Sequence, residues 1–134
     1  YVHAGMIGLN GEKMSKSLGN LVFVSKLVAA GRNPMAIRWA LMKSHYRQDR
    51  MWTEEILIEA EKEIAELHTV LKSGKFDSTD QLIQGIISAI ADDLDTPKAL
   101  TLINSWVSQT KNSQATNNAD ELLKVLDAVL GLKL

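Results

Sequence analysis

Gly11-Glu12-Lys13-Met14-Ser15-Lys16-Ser17-Leu18-Gly19-Asn20 is the stretch from which the rest of this chain is read. Two lysines three positions apart alternate with two serines, between glycines that let the backbone turn tightly and approach a ligand. Two ammonium groups and two hydroxyls then converge as donors, a set suited to a polyphosphate. Successive backbone N–H groups in such a turn add an anion-binding nest. Most Lys/Ser/Gly stretches are only solvated connectors. The length and order of this one set it apart from a lone glycine motif.

Upstream of the loop, Val2, Met6, Ile7 and Leu9 lead into Asn10-Gly11. Asn-Gly between apolar stretches is a hairpin signal, because both residues tolerate positive φ. The reading is a short strand ending near Leu9, a tight turn, and then the lysine loop. Beyond Val24 the pattern is helical almost throughout. Ser25 to Ala30 reads as a short helix closed by Gly31. Asn33-Pro34 opens the next, with Asn33 as N-cap and Pro34 at the first helical position. Thr53 caps a long helix whose first turn carries Glu54 and Glu55, favourable for the helix dipole. Ile56, Ala60, Ile64 and Leu67 form one of its apolar stripes. Leu82 to Ile90 makes a further helix, Asp95-Thr96-Pro97 starts another, and Leu122 to Leu130 forms the last. Stripe-bearing helices from Pro34 onward need one another to hide their apolar faces. The expected fold is therefore mainly α, a short hairpin and lysine loop leading into an antiparallel helical bundle.

Composition limits the functional classes. A chain of 134 residues is one domain, or one small domain with an appended element. Its 46% apolar content suffices for a core, and no apolar run approaches the roughly 18 residues of a membrane span. A net charge of −1 does not advertise nucleic-acid binding. Without cysteine, disulfides and thiolate metal sites are excluded. Nothing suggests export, and the expected location is the cytoplasm. The chain opens Tyr1-Val2-His3-Ala4-Gly5 with its most chemical motif in the first twenty residues, an arrangement expected of a fragment of a longer protein.

Lys13 to Ser17 resembles the KMSKS signature of the class I aminoacyl-tRNA synthetases, and Leu18-Gly19-Asn20 continues it as in the cysteinyl subgroup. Two further stretches carry the same resemblance. Asp92-Asp93-Leu94-Asp95-Thr96-Pro97-Lys98-Ala99-Leu100 is similar to the D-D-L-N/D-T-P-x-A-L run of the helical bundle that follows the catalytic domain, and His45-Tyr46-Arg47 to the H-Y-R at the end of the preceding helix. Three motifs in order span most of the chain.

The resemblance implies a division into residues 1–24, the C-terminal edge of the catalytic domain with its KMSKS loop, and residues 25–134, a helical bundle domain. It also implies that the loop closes over ATP and that Lys13 and Lys16 are catalytic, steadying pyrophosphate as the amino acid is adenylated. Ile7 (through its backbone, toward adenine), Met14, Ser15, Lys16 and Ser17 are the implied nucleotide-binding residues. Charge builds on the phosphoryl oxygens and leaving group during in-line displacement, so preorganised cations lower that barrier.

Gln48-Asp49-Arg50-Met51-Trp52 replaces the S-P and aromatic that usually follow H-Y-R, and Tyr1 to Ile7 replaces an H-N-G pattern. Both departures resemble the cysteine:glucosaminyl-inositol ligases of mycothiol biosynthesis, synthetase relatives that move cysteine to an amino-sugar amine. ATP, cysteine and glucosaminyl-inositol are then the implied substrates, with an upstream catalytic domain in cis. The zinc implied for the full-length enzyme is expected upstream, not in this segment, and the segment alone is expected to be inactive. A cysteinyl-tRNA synthetase fragment, with tRNA as partner, is the alternative; a non-catalytic helical tRNA-binding module is a more distant one.

Other residues read as structural. His3 reads as a locally hydrogen-bonded histidine, and Arg47 and Arg50 as candidates for substrate contacts or exposed ion pairs. Asp92, Asp93 and Asp95 read as a helix-end turn and cap rather than a cation site. Trp39, Trp52 and Trp106 are expected to pack between helices.

Overall fold

The computed structural model describes all of residues 1–134. The chain is mainly helical with one small sheet. Strands β1 (Ile7–Leu9), β2 (Glu12–Lys13) and β3 (Arg50–Trp52) form the sheet; helices α1 (Val24–Ala29), α2 (Pro34–Met42), α3 (Glu54–Ser73), α4 (Asp80–Ala91), α5 (Thr96–Thr110) and α6 (Asp120–Leu130) form the rest.

Strand order is β2-β1-β3. β1 and β2 run antiparallel around Asn10 and Gly11, whose φ angles of 53° and 85° are what a two-residue turn of this hand requires. β1 also pairs in parallel with β3, Ile7 opposite Arg50 and Leu9 opposite Trp52. The sequence pattern gives no warning of β3: three residues are too few to show alternation, and their partner lies far back in the chain.

Helix starts follow local chemistry. Asn33 accepts the Met35 N–H at 2.8 Å ahead of Pro34, Thr53 accepts that of Ile56 at 3.3 Å, and Asp95 accepts that of Lys98 at 3.0 Å. Each side chain satisfies a first-turn donor that has no partner within the helix. The short helix α1 begins at Val24, one residue before the expected start, and buries no residue completely.

The core lies between the longer helices. α2 packs on α3, α5 packs on α3 and α4, and α6 packs on α4. Trp39, Leu57, Leu67, Ile86, Ile103 and Leu126 are fully or almost fully buried there. Trp52 and Trp106 are buried as well, the latter edge-on to Phe76 with ring centroids 5.5 Å apart. Ile87 of α4 and Val129 of α6 are apolar yet exposed. Trp39 also donates its indole N–H to Glu63 at 2.6 Å, and Lys43 reaches the same carboxylate at 3.1 Å, tying α2 to α3 through polar contacts beside the core.

Candidate functional site: a closed lysine loop on a three-stranded sheet

Lys13 ends β2, and the chain then leaves the sheet for a turn that returns at Asn20. The Met14 N–H donates to the Ile7 carbonyl at 3.4 Å, so the first residue of the loop remains attached to β1. The Met14 side chain is half-buried against the core and acts as an apolar foot.

The loop is closed by one side chain. Asn20 accepts the Ser15 N–H at 2.8 Å through its Oδ1 and donates through Nδ2 to the Lys13 carbonyl at 3.2 Å. Inside that clasp, Ser15 Oγ accepts the Leu18 N–H at 3.3 Å, and the Gly19 N–H donates to the Lys16 carbonyl at 3.2 Å, with Gly19 at φ 65°. Ser15 and Ser17 hydroxyls lie 3.3 Å apart. The turn is thus held by its own polar groups.

The two ammonium groups are left over. Lys13 and Lys16 are exposed, and neither forms an ion pair or a side-chain hydrogen bond. Arg32, Lys43, Arg47 and Lys111 are held in ion pairs, and the remaining lysines and arginines, Lys13 and Lys16 among them, are not. Two free cations on a self-closed loop, with Ser17 exposed beside them, form a surface able to receive an anion from solvent.

Ile7, Met14, Ser15, Lys16 and Ser17 therefore lie on one hairpin and its extension. Ile7 occupies the central strand; its carbonyl is bonded to Met14, and its side chain borders a cavity of about 220 Å³ with Leu41, Arg50, Trp52 and Ile56. Burial without an acidic partner lowers the pKa of Arg50 there. His3 is exposed, away from any partner. Asn20 is the residue that reading by motif passed over; the general habit of Asn side chains to bond nearby backbone groups was the available signal.

A second polar cluster joins the other two motifs. Arg47 donates to Asp93 from Nε at 2.7 Å and from Nη2 at 3.1 Å, and the Tyr46 hydroxyl donates to the same carboxylate at 2.8 Å. His45 Nε2 lies 2.9 Å from the Asp93 carbonyl, and the Arg47 guanidinium sits 5.0 Å from the Tyr46 ring centre. Asp93 and Leu94 both adopt positive φ, 51° and 57°, at the turn between α4 and α5. The Arg47 and Tyr46 hydrogen bonds hold the Asp93 carboxyl down at a pKa of about 2. Asp95 is a helix cap, as its place before Thr96-Pro97 implies.

Zinc does not fit this segment. It has no cysteine, and no three His, Asp or Glu side chains gather where they could share an ion. No helix is long and apolar enough to cross a membrane. A groove of about 560 Å³ lies along α3 near Glu66 and Lys111 and shares no residue with the loop.

Comparison with known proteins bears on the whole chain. Residues 1–62 match the family described as tRNA synthetases class I (C) catalytic domain, a match that runs past β3 into α3. The L-cysteine:1D-myo-inositol 2-amino-2-deoxy-alpha-D-glucopyranoside ligase 2 of Corynebacterium jeikeium is 46% identical over 138 residues, covering 100% of this chain and 33% of the relative. Ligases of the same description from Rhodococcus jostii and Geodermatophilus obscurus are 46% and 44% identical, again over 100% of this chain and 33% of theirs. The chain spans about a third of the length of the relatives it matches.

Proposed function

We propose that this chain, which is similar over residues 1–62 to the class I (C) tRNA-synthetase catalytic domain and over its whole length to the cysteine ligases, forms the nucleotide-gripping end of an ATP-dependent ligase that activates cysteine and joins it to the amine of glucosaminyl-inositol, a step of mycothiol biosynthesis. The observation that carries this reading is the loop from Lys13 to Asn20, closed by its own hydrogen bonds with two unpaired ammonium groups left outside. Residues 1–24 would be the C-terminal edge of the catalytic domain, and residues 25–134 an antiparallel helical bundle behind it. Full coverage of this chain by the ligases supports the assignment.

The chemistry asked of this segment is electrostatic. The cysteine carboxylate attacks the α-phosphorus of ATP, the bond to pyrophosphate breaks, and negative charge moves onto the departing group. Lys16, and behind it Lys13, meets that charge as it develops. A contact stronger in the transition state than in the ground state raises the rate of the step rather than the affinity for ATP. Ser15 and Ser17 orient the turn and offer hydroxyl donors, Met14 anchors it, and the backbone at Ile7 would contact the adenine. The acceptor amine then attacks the cysteinyl carbonyl, an amide forms, and AMP leaves.

A second reading is favoured by the family match over residues 1–62, whose description is that of a tRNA synthetase. There the acceptor is a tRNA hydroxyl and the product an ester. The deciding experiment uses the full-length enzyme with labelled cysteine and ATP, offered glucosaminyl-inositol or tRNA. Transfer to the amino sugar, as an alkali-stable amide, supports the ligase. An alkali-labile ester on tRNA overturns it in favour of the synthetase, and no cysteine-dependent exchange of pyrophosphate into ATP overturns both.

A further inference from the structure

The segment from His45 to Arg50 holds two things at once. On one side it carries the strand beneath the lysine loop: Gly5 N–H donates to the Tyr46 carbonyl at 2.7 Å, Met6 N–H to Asp49 Oδ1 at 2.6 Å, and Arg50 N–H to the Met6 carbonyl at 2.9 Å. β1 then continues in parallel register with β3, Ile7 opposite Arg50. On its other side the same segment grips the α4–α5 turn through His45, Tyr46 and Arg47, all directed at Asp93. A further contact lies just before it, where the Thr96 hydroxyl donates to the Met42 carbonyl at 2.9 Å. The path from Asp93 to the loop is continuous: Asp93 to Arg47 and Tyr46, from there to Gly5 and Met6, along β1 to Ile7, and from the Ile7 carbonyl to Met14.

From this continuity we infer that Asp93 and Arg47 are positioning residues for the adenylation step, a latch by which the helical region fixes where the lysine loop stands. The inference rests on the phosphate-gripping reading of Lys16 and extends it to residues that never touch the nucleotide. Two features single the pair out. It is two-pronged and planar, so it fixes an angle as well as a distance, which a lone contact does not. It also sits on a turn where two successive residues without glycine's freedom hold positive φ, a conformation that persists only where surrounding contacts determine it. A purely local role at this turn would need only the backbone bonds that close α4 and the Asp95 cap that starts α5; it would not need three consecutive side chains from the segment that carries β1.

Small displacements matter at this site because charge stabilisation depends on where the cation stands when pyrophosphate departs. Loosening the latch should therefore act on the chemical step and leave ground-state affinity for ATP almost untouched.

The test uses the full-length enzyme and a double-mutant cycle between Asp93 and Lys16. Asp93→Asn keeps the shape and removes the charge. It should lower single-turnover adenylation about ten- to a hundredfold, with KM for ATP within about twofold of wild type. In a Lys16→Ala background the same change should cost far less, because the group it positions is gone. Exchanging the pair, Arg47→Asp with Asp93→Arg, should recover part of the rate lost by either change alone. Hydrogen exchange should show faster exchange at the Gly5, Met6 and Arg50 amides and unchanged protection in α3 and α5. Lys111→Ala, which breaks an exposed ion pair on the far side of α3, should leave both readouts at wild type. If Lys16→Ala adenylates normally, the phosphate-gripping reading fails. If Lys16→Ala is slow but the Asp93 effect is fully additive with it, or Asp93→Asn adenylates at the wild-type rate, the latch is overturned and that reading stands. If Asp93→Asn slows adenylation only by unmasking exchange throughout α3 and α5, Asp93 merely stabilises the fold and the latch is likewise overturned.

Discussion

Asn20 holds Ser15 by its main chain, accepting the Ser15 N–H at 2.8 Å while its own amide donates to the carbonyl of Lys13 at 3.2 Å. One side chain therefore spans the two ends of the turn that carries Lys16. Replacing Asn20 with Ala removes both bonds, and each such bond contributes about 1 kcal/mol net. The expected outcome in the full-length enzyme is adenylation slowed by about tenfold or more, with a melting temperature close to wild type, since the loop buries little surface. Stopped-flow adenylation beside a thermal melt checks it, and an unchanged rate refutes the clasp.

Lys16→Ala should lower the rate of adenylate formation by about a hundred- to a thousandfold, equivalent to about 2.7–4 kcal/mol. Ground-state binding of ATP should fall much less, because the charge counts most when pyrophosphate departs. Lys13→Ala should act in the same direction more weakly. Pre-steady-state rates, read against circular dichroism melts, separate loss of chemistry from loss of fold. A wild-type rate for Lys16→Ala refutes the reading.

Acid should dissolve the Arg47–Asp93 pair in a defined window. Asp93 is held at a pKa of about 2 against an ordinary 3.8, chiefly by the Arg47 hydrogen bonds and then by the Tyr46 hydroxyl. A depressed carboxyl contributes stability that is fully present above its unfolded value and lost as pH falls through its native one. The difference in melting temperature between wild type and Asp93→Asn should accordingly be constant near neutrality, shrink below about pH 4 and be lost only below about pH 2. A gap that widens with acid would contradict the pairing.

The isolated 134-residue chain should show no cysteine-dependent exchange of pyrophosphate into ATP, because on the function proposed above it would supply only one wall of the nucleotide site. Exchange above background by purified chain would show that the whole site lies within these residues.

What the sequence made legible was local. Asn33-Pro34, Thr53 and Asp95-Thr96-Pro97 announce helix starts because a side chain there bonds an amide two or three residues on, and the structure has those bonds. Apolar spacing likewise identified Ala60, Ile64 and Leu67 as core. What it hid was long-range. β3 escaped because its pairing with β1 depends on residues more than forty positions away, and nothing within Arg50-Met51-Trp52 marks a strand. His45-Tyr46-Arg47 and Asp92 to Pro97 were each conspicuous, yet no local rule states that they touch. Asn20 was visible only as the end of a motif, because its work lies in the backbone groups behind it.

Parallel pairing of β1 with β3 has a consequence for how the loop comes into being. Two parallel strands cannot be joined by a tight turn, so while Ile7–Leu9 meets Glu12–Lys13 through a local hairpin, its pairing with Arg50–Trp52 has to reach across α1 and α2, which lie between them in the chain. The loop closes on itself within ten consecutive residues, but its place against the rest of the chain belongs to a contact of high sequence separation, among the slower kinds to form. A peptide of residues 1–24 would keep every lysine and serine of the motif and lack the strand that props it. The motif can be copied from one chain to another as text; its geometry is inherited only with the region that folds against it.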